Sequence, residues 1–368
     1  MMVAIQAICA RVGRTTGLGI AGNLRRHYPA WALHGIVALL CIANVLNIGA
    51  DLGAMAESAR LLLRLPAWLY VAGFGLASIA GQVFAGHKQY VAVLRWLTLS
   101  LLAYLATAFV VHIRWQAFLS GLLWPRLTPD HSFWLTVVAI FGTTISPYLF
   151  FWQAAQEVED IKAEPRREPL LKKPSQAPDA LARIRADTVI GMAASNLVSL
   201  AILVTTAATL HEHGISDVAS AAQAAQALRP LAGKAAFALF ALGVIGTGLL
   251  SVPVLAGSAA YALGEAWRWP VGLSKKPLRA RGFYSVIALS ITLGALGTFL
   301  HLNPVKALVW AAVINGIVAV PVMALLLHMS VQASILGRFR IGRGLAALGW
   351  IATGVMGIAS LVFIIGSA

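Results

Sequence analysis

A stretch of apolar residues long enough to cross a membrane is interrupted by Gly142-Thr143-Thr144-Ile145-Ser146-Pro147-Tyr148-Leu149. Proline has no N–H to offer the carbonyl four residues back, so within a helix Pro147 leaves the Thr143 carbonyl without its usual partner. In hydrocarbon such a carbonyl is costly unless it faces protein, a water-filled cavity or an ion. Helices broken in this way line substrate sites near the midplane of many secondary transporters. The competing reading is a proline kink whose free carbonyl is repaired by the Thr144 or Ser146 hydroxyl.

A second set of polar residues lies in the apolar run 33–59. Asn44, Asn47, Asp51 and Ser58 recur at i, i+3, i+7 and i+14, one face of a helix. A charge at the bilayer centre costs about 2.5–3.5 kcal/mol on insertion scales, so this stripe must face the protein interior or a cavity. It belongs either to a permeation route or to a hydrogen-bond network that holds helices together. Glu57 lies off that face and is spaced to pair with Arg60. Beyond the break, Ser146, Gln153, Glu157 and Asp160 continue one polar face toward the end of their helix. That pattern suits half of a permeation route, or a helix end emerging into water. Asn196 and Asn315 are intramembrane amides, suited to hydrogen bonding behind a site or to bridging helices.

Other groupings carry less. His211-Glu212-His213 places two imidazoles at i and i+2 with no third ligand in view, and reads as a solvated loop. Cys9 and Cys41 form neither a disulfide framework nor a zinc spacing. No nucleophile, base and orienting group gather in one region, so the chain is not read as an enzyme and no cofactor is expected.

The elements that must position these residues follow from composition. Of 368 residues 59% are hydrophobic and 11% charged, with a mean hydropathy of +0.80, too much apolar surface for one water-soluble core. An all-α polytopic membrane protein is expected. Runs long enough to span ~30 Å of hydrocarbon cover residues 33–59, 67–85, 91–111, 133–155, 188–210, 235–263, 283–300, 305–327 and 345–365. Residues 1–12 are apolar but too short to cross, and read as the tail of a span or as a membrane-surface segment. They lack the order of regions that marks a signal peptide.

Basic residues assign the sides, because Lys and Arg accumulate in cytoplasmic loops. If the loop after Val12 is cytoplasmic, twenty-one of the twenty-eight fall on that side and seven on the other. The same asymmetry accounts for the net charge of +15. These residues sit in short loops without aromatic interleaving, so nucleic acid is excluded as a partner and anionic lipid headgroups are favoured. The longest loop, 160–186, contains four prolines among its charges and is expected to be an extended cytoplasmic linker.

The run Asn47-Ile48-Gly49-Ala50-Asp51-Leu52-Gly53, with Ser58-Ala59, resembles the third span of the natural resistance-associated macrophage protein family of metal transporters. Gly142-Thr143-Thr144-Ile145-Ser146-Pro147-Tyr148 is similar to that family's sixth span, whose usual pattern is Gly-Ala-Thr-Val-Met-Pro-His. The resemblance runs over almost the whole chain. It implies an inverted-repeat (5+5) secondary-transporter fold with a broken sixth span, and a bacterial inner membrane location. Residues 1–30 would hold the end of a truncated span and a cytoplasmic loop, 31–115 the rest of the first repeat, 133–330 the second repeat, and 345–366 the final span. The substrate would be a divalent metal cation, with the lipid bilayer as surroundings and no obligate protein partner. In the family the metal is held by an Asp and an Asn of the first span, and by a carbonyl and a Met thioether of the sixth. The carbonyl position falls on Thr143 and the thioether position on Ser146.

The departures carry expectations of their own. No Asp-Pro-Gly occurs, so the N-terminal span is missing and robust uptake by the 368-residue chain is not expected. Ser146 in place of a thioether favours harder cations such as Mn²⁺ or Mg²⁺. Tyr148 replaces the family's histidine and Ala54 its third-span glutamate, leaving Asp51, with Gln153, Glu157 and Arg281, as the remaining ion or proton pathway. A phenol, with an unperturbed pKa of about 10, accepts protons poorly at neutral pH, so proton coupling is expected to be weak. Asn47, Asn196 and Asn315 would support the site from behind. A transporter of amino acids or other organic solutes, and a non-transporting accessory protein, are the alternatives.

Overall fold

Each long apolar run folds as a helix, the arrangement that satisfies every backbone polar group within its own segment. The computed structural model describes residues 1–84, 96, 99, 102–111, 113–124, 130–210, 218, 220–229, 233–300 and 303–367. Its principal helices are α1 (Met2–Thr16), α2 (Ile20–His27), α3 (Ala30–Arg60), α4 (Ala67–Phe84), α5 (Leu102–Val110) and α6 (His131–Thr144). They continue with α7 (Pro147–Ala163), α8 (Ala177–Thr209), α9 (Ala236–Ala266), α10 (Arg281–Gly297), α11 (Pro304–Val331) and α12 (Arg343–Ser367). Among the described residues eight helical stretches are long and apolar enough to cross a membrane, α6 and α7 counting as one. They match eight of the nine expected spans. The remaining one, 91–111, is described only in part, as α5 and a few neighbouring residues.

Helix α3 is the hub of the bundle, packed against α9, α10, α11 and α4. Its approach to α10 is close because Gly49 and Gly294 face each other, and a Cβ on Gly49 would stand 2.9 Å from the Gly294 carbonyl. Gly248 on α9 admits the Met55 side chain in the same way, whereas Gly297 faces open space and serves no such contact. The two halves of the broken helix have different supports: α6 leans on α11 and α12, α7 on α1 and α9.

The N-terminal segment is not a surface helix. Ile5, Ile8, Cys9, Ala10 and Val12 of α1 are fully buried, and its Gly13 lies directly against the Ala154 backbone of α7. The loop expected as an extended linker is shorter and docked. Residues 160–163 finish α7 and residues 177–186 begin α8. Between them the Leu170 and Leu171 N–H groups donate to the Arg14 and Thr15 carbonyls, both at 3.2 Å, while the Leu170 side chain is fully buried. The last carbonyls of a helix need donors, and this loop supplies them.

Glu265, at the end of α9, performs the matching task for α2. Its carboxylate accepts the Gly19 and Gly22 N–H groups at 2.8 and 2.9 Å, and Arg25 donates to its main-chain carbonyl. A carboxylate at a helix N-terminus meets unpaired N–H groups and the positive end of the dipole.

Candidate functional site

The break between α6 and α7 is sharp. The Ile145 N–H closes α6 on the Phe141 carbonyl at 2.7 Å. Ser146 then takes up extended backbone (φ −90°, ψ 137°), and Pro147 opens α7. Proline suits a first helical position, where its missing N–H would have no partner in any case. A serine in this N-cap position ordinarily accepts an N–H from the turn it precedes. Here its hydroxyl turns backward, donating to the Gly142 carbonyl at 2.5 Å and reaching the Thr143 carbonyl only at 3.5 Å.

The other hydroxyls of the motif also fold back onto α6. Thr143 Oγ1 donates to the Ile140 carbonyl at 2.8 Å, and Thr144 Oγ1 to those of Ile140 and Phe141 at 3.0 and 3.1 Å. Hydroxyl repair is thus real for Gly142, while the Phe141 carbonyl already accepts the Ile145 N–H. The Thr143 carbonyl has a contact only at the limit of hydrogen-bond length. Proline-based reasoning reaches the same oxygen.

Around the break, α11 comes within backbone contact: a Cβ at Gly142 would collide with the Ala312 carbonyl and the Gly316 nitrogen. On that same turn of α11, Asn315 is buried and exchanges amide hydrogen bonds with Asn47 of α3, at 3.1 and 2.9 Å. One turn along α3, Asp51 accepts a hydrogen bond from the Ser251 hydroxyl of α9. One turn the other way, Asn44 donates to the Leu255 carbonyl (2.9 Å) and the Ser258 hydroxyl (2.8 Å), also on α9. Tyr148, in the first turn of α7, is partly buried and packs against the two largest apolar clusters.

Thr143, Ser146 and Tyr148 stand at the break itself; Asn315 lies on the turn of α11 that meets Gly142, Asn47 is paired with it, and Asp51 is one turn further along α3. The polar stripe of α3 is a cross-helix network and borders the site as well. Ser251 and Ser258 are additions that sequence reasoning missed; their signal is a pair of hydroxyls at i and i+7 flanking Pro253 in an otherwise apolar run.

Other candidates stand elsewhere. Gln153 is half-buried along α7. Glu157 does not line an open route: it is buried and paired with Arg183 of α8 at 2.6 Å, and Arg183 also lies 3.7 Å from Asp160 and 3.5 Å from Asp187. Arg281 is exposed at the first residue of α10. Asn196 is exposed on α8 and bonds to the Met192 carbonyl of its own helix at 2.7 Å. Glu57 accepts the Ala221 N–H at 3.2 Å in place of a local pair with Arg60. The His211-Glu212-His213 run lies outside the described residues. Among those described, no three His, Cys, Asp or Glu side chains cluster as a metal centre. The donors at the break are a carbonyl, a hydroxyl and two amides, an oxygen set suited to hard cations.

The family model "Natural resistance-associated macrophage protein-like" matches residues 1–366. A "Divalent metal cation transporter MntH" from Chromohalobacter salexigens is 26% identical over 239 residues, covering 60% of this chain and 50% of that protein. "Metal transporter Nramp6" of Oryza sativa subsp. japonica is 28% identical over 211 residues, covering 54% of this chain and 36% of its own length. The chain thus spans about half the length of the bacterial relatives it matches. The crystal structure of the Eremococcus coleocola manganese transporter in complex with an aromatic bis-isothiourea substituted compound superposes with a TM-score of 0.71. That match is at 17% identity and covers 99% of this chain and 76% of the other. With a family match over nearly its entire length and a multi-pass helical fold shared with a solved transporter, this chain belongs to the natural resistance-associated macrophage protein family.

Proposed function

We propose that this chain serves the transmembrane movement of divalent metal cations, and that the cation is received at the break between α6 and α7. One observation carries the reading. A membrane-spanning helix is interrupted at Ile145-Ser146, where Gly142 meets the Ala312–Gly316 backbone of α11, the turn that carries the Asn315–Asn47 amide pair. Membership of the family and the chain's similarity to divalent metal cation transporters support it.

The donor set refines the substrate. Serine, amide and carbonyl oxygens favour hard ions such as Mn²⁺ and Mg²⁺ over thiophilic ones. With neutral donors only, compensation for stripping the ion's water is modest and binding is weak. The Tyr148 phenol is a poor proton acceptor at neutral pH, which favours weak proton coupling.

A second reading rests on α7. No side chain caps its N-terminal N–H groups, and that positive helix end also suits the carboxylate of an organic solute. The two readings separate in a binding experiment on the purified chain, followed by the electron paramagnetic resonance signal of Mn²⁺. Displacement of bound Mn²⁺ by Mg²⁺ and not by amino acids is expected. Displacement by amino acids at equal concentration would favour the organic-solute reading.

A further inference from the structure

Where the C-terminal end of α1 meets the start of α8 lies a cavity of about 260 Å³. Arg14 comes to it from α1, Arg167 from the docked loop, and Arg183 from α8, with Ser175, Gln176 and Asp179 completing the polar wall. Arg167 and Arg183 are already matched by carboxylates: Arg167 lies 3.0 Å from Glu164 and 3.6 Å from Asp160, and Arg183 is held by Glu157. Arg14 differs. Its side chain is only 3% exposed, Nη2 donates to the neutral Gln176 amide oxygen at 2.8 Å, and Nη1 has no hydrogen-bond partner.

The Glu157 and Asp160 carboxylates lie within electrostatic reach of Arg14 without bonding to it, and a buried guanidinium whose one hydrogen-bond partner is neutral and whose Nη1 is unpaired is an arrangement that proteins rarely leave without a further acceptor. The cavity it lines is roomy enough for a tetrahedral anion. Three guanidinium groups, the Ser175 hydroxyl and the first turn of a 33-residue helix converge there. Each of these features favours phosphate oxygens, the guanidinium through paired donors and the helix through its dipole. Asp179 is the one carboxylate lining the cavity, and its charge opposes an anion.

We propose that this cavity binds a phosphate-bearing anion, with Arg14 as its principal ligand and Asp179 as the residue that limits affinity. Basic pockets at the cytoplasmic ends of membrane helices take lipid headgroups, and free phosphate offers the same oxygens. The site is independent of the cation site and stands or falls separately from it.

The test uses the purified full chain in detergent. Its Tm is followed during titration with inorganic phosphate against chloride at matched ionic strength, and with short-chain phosphatidylglycerol against phosphatidylcholine. A saturable rise in Tm with at least one probe is expected. A rise with phosphatidylglycerol alone identifies a lipid headgroup, and a rise with both shows that free phosphate suffices. Arg14→Gln should weaken half-saturation about tenfold or more, the effect of losing one charge-assisted hydrogen bond. Asp179→Asn should tighten it, a gain that misfolding does not produce, so this variant decides the matter if Arg14→Gln does not fold. No saturable rise with either probe overturns the proposal, as does half-saturation left unchanged or weakened by Asp179→Asn.

Discussion

Ser146 shows how one side chain can have two consequences. Its hydroxyl replaces a hydrogen bond that the Gly142 carbonyl loses at the break, and in the proposed cation site the same oxygen would serve as a ligand together with the Thr143 carbonyl. The Asn47–Asn315 amide pair is the neighbouring test at this scale. Asn315→Leu leaves a partly buried amide oxygen of Asn47 without its donor, and should destabilise the bundle by about 1 kcal/mol, within the range for interhelical hydrogen bonds in membranes. The Asn47→Leu/Asn315→Leu double variant should cost less than the sum of the two single variants, as measured by unfolding in mixed micelles. Simple additivity would mean that the two amides do not interact. Pro147 and Asn315 were legible because a proline or an amide inside an apolar span demands an explanation. Ser251 was not, since a lone hydroxyl in such a span can satisfy itself on its own helix. Only the register of α9 against α3 reveals its bond to Asp51.

At the scale of elements, the broken helix is two helices with different attachments, α6 to α11 and α12, α7 to α1 and α9. The far end of α7 is tied to α8 through Glu157 and Arg183. That ion pair is asymmetric: the Glu157 side chain is 5% exposed and that of Arg183 33%. Arg183→Gln therefore strands a buried carboxylate and should cost roughly 2 kcal/mol, below the 3–5 kcal/mol of a fully buried pair because solvent reaches the arginine. Glu157→Gln should cost clearly less, because Arg183 retains Asp160 and Asp187 nearby. Equal losses in a thermal melt would count against this pairing. Periodicity made the long helices readable. The docking of the proline-containing loop was hidden, because its charges describe its solvent side while its role is set by the Arg14 and Thr15 carbonyls it covers.

For the whole molecule, the distribution of basic residues over the nine expected spans predicts which side of the bundle faces the cytoplasm. Positions 64 and 172 are both exposed, and the nine expected spans would put them on opposite sides. In intact cells a membrane-impermeant maleimide should label Arg64→Cys and spare Lys172→Cys; the native Cys9 is buried and Cys41 partly so. Labelling of Lys172→Cys alone would invert the topology. The family's architecture was legible from two motifs and the order of the spans, whereas the contacts that close the site come from helices distant in sequence. The most direct test of the cation site is competition for bound Mn²⁺ by Mg²⁺ and Cd²⁺, compared between the native chain and Ser146→Met. Native Ser146 should let Mg²⁺ compete effectively, and the thioether should move the preference toward Cd²⁺ by about tenfold, a difference of 1.4 kcal/mol. A native chain that holds Cd²⁺ tightly while rejecting Mn²⁺ and Mg²⁺, or a preference untouched by the substitution, would contradict a hard-cation site at the break.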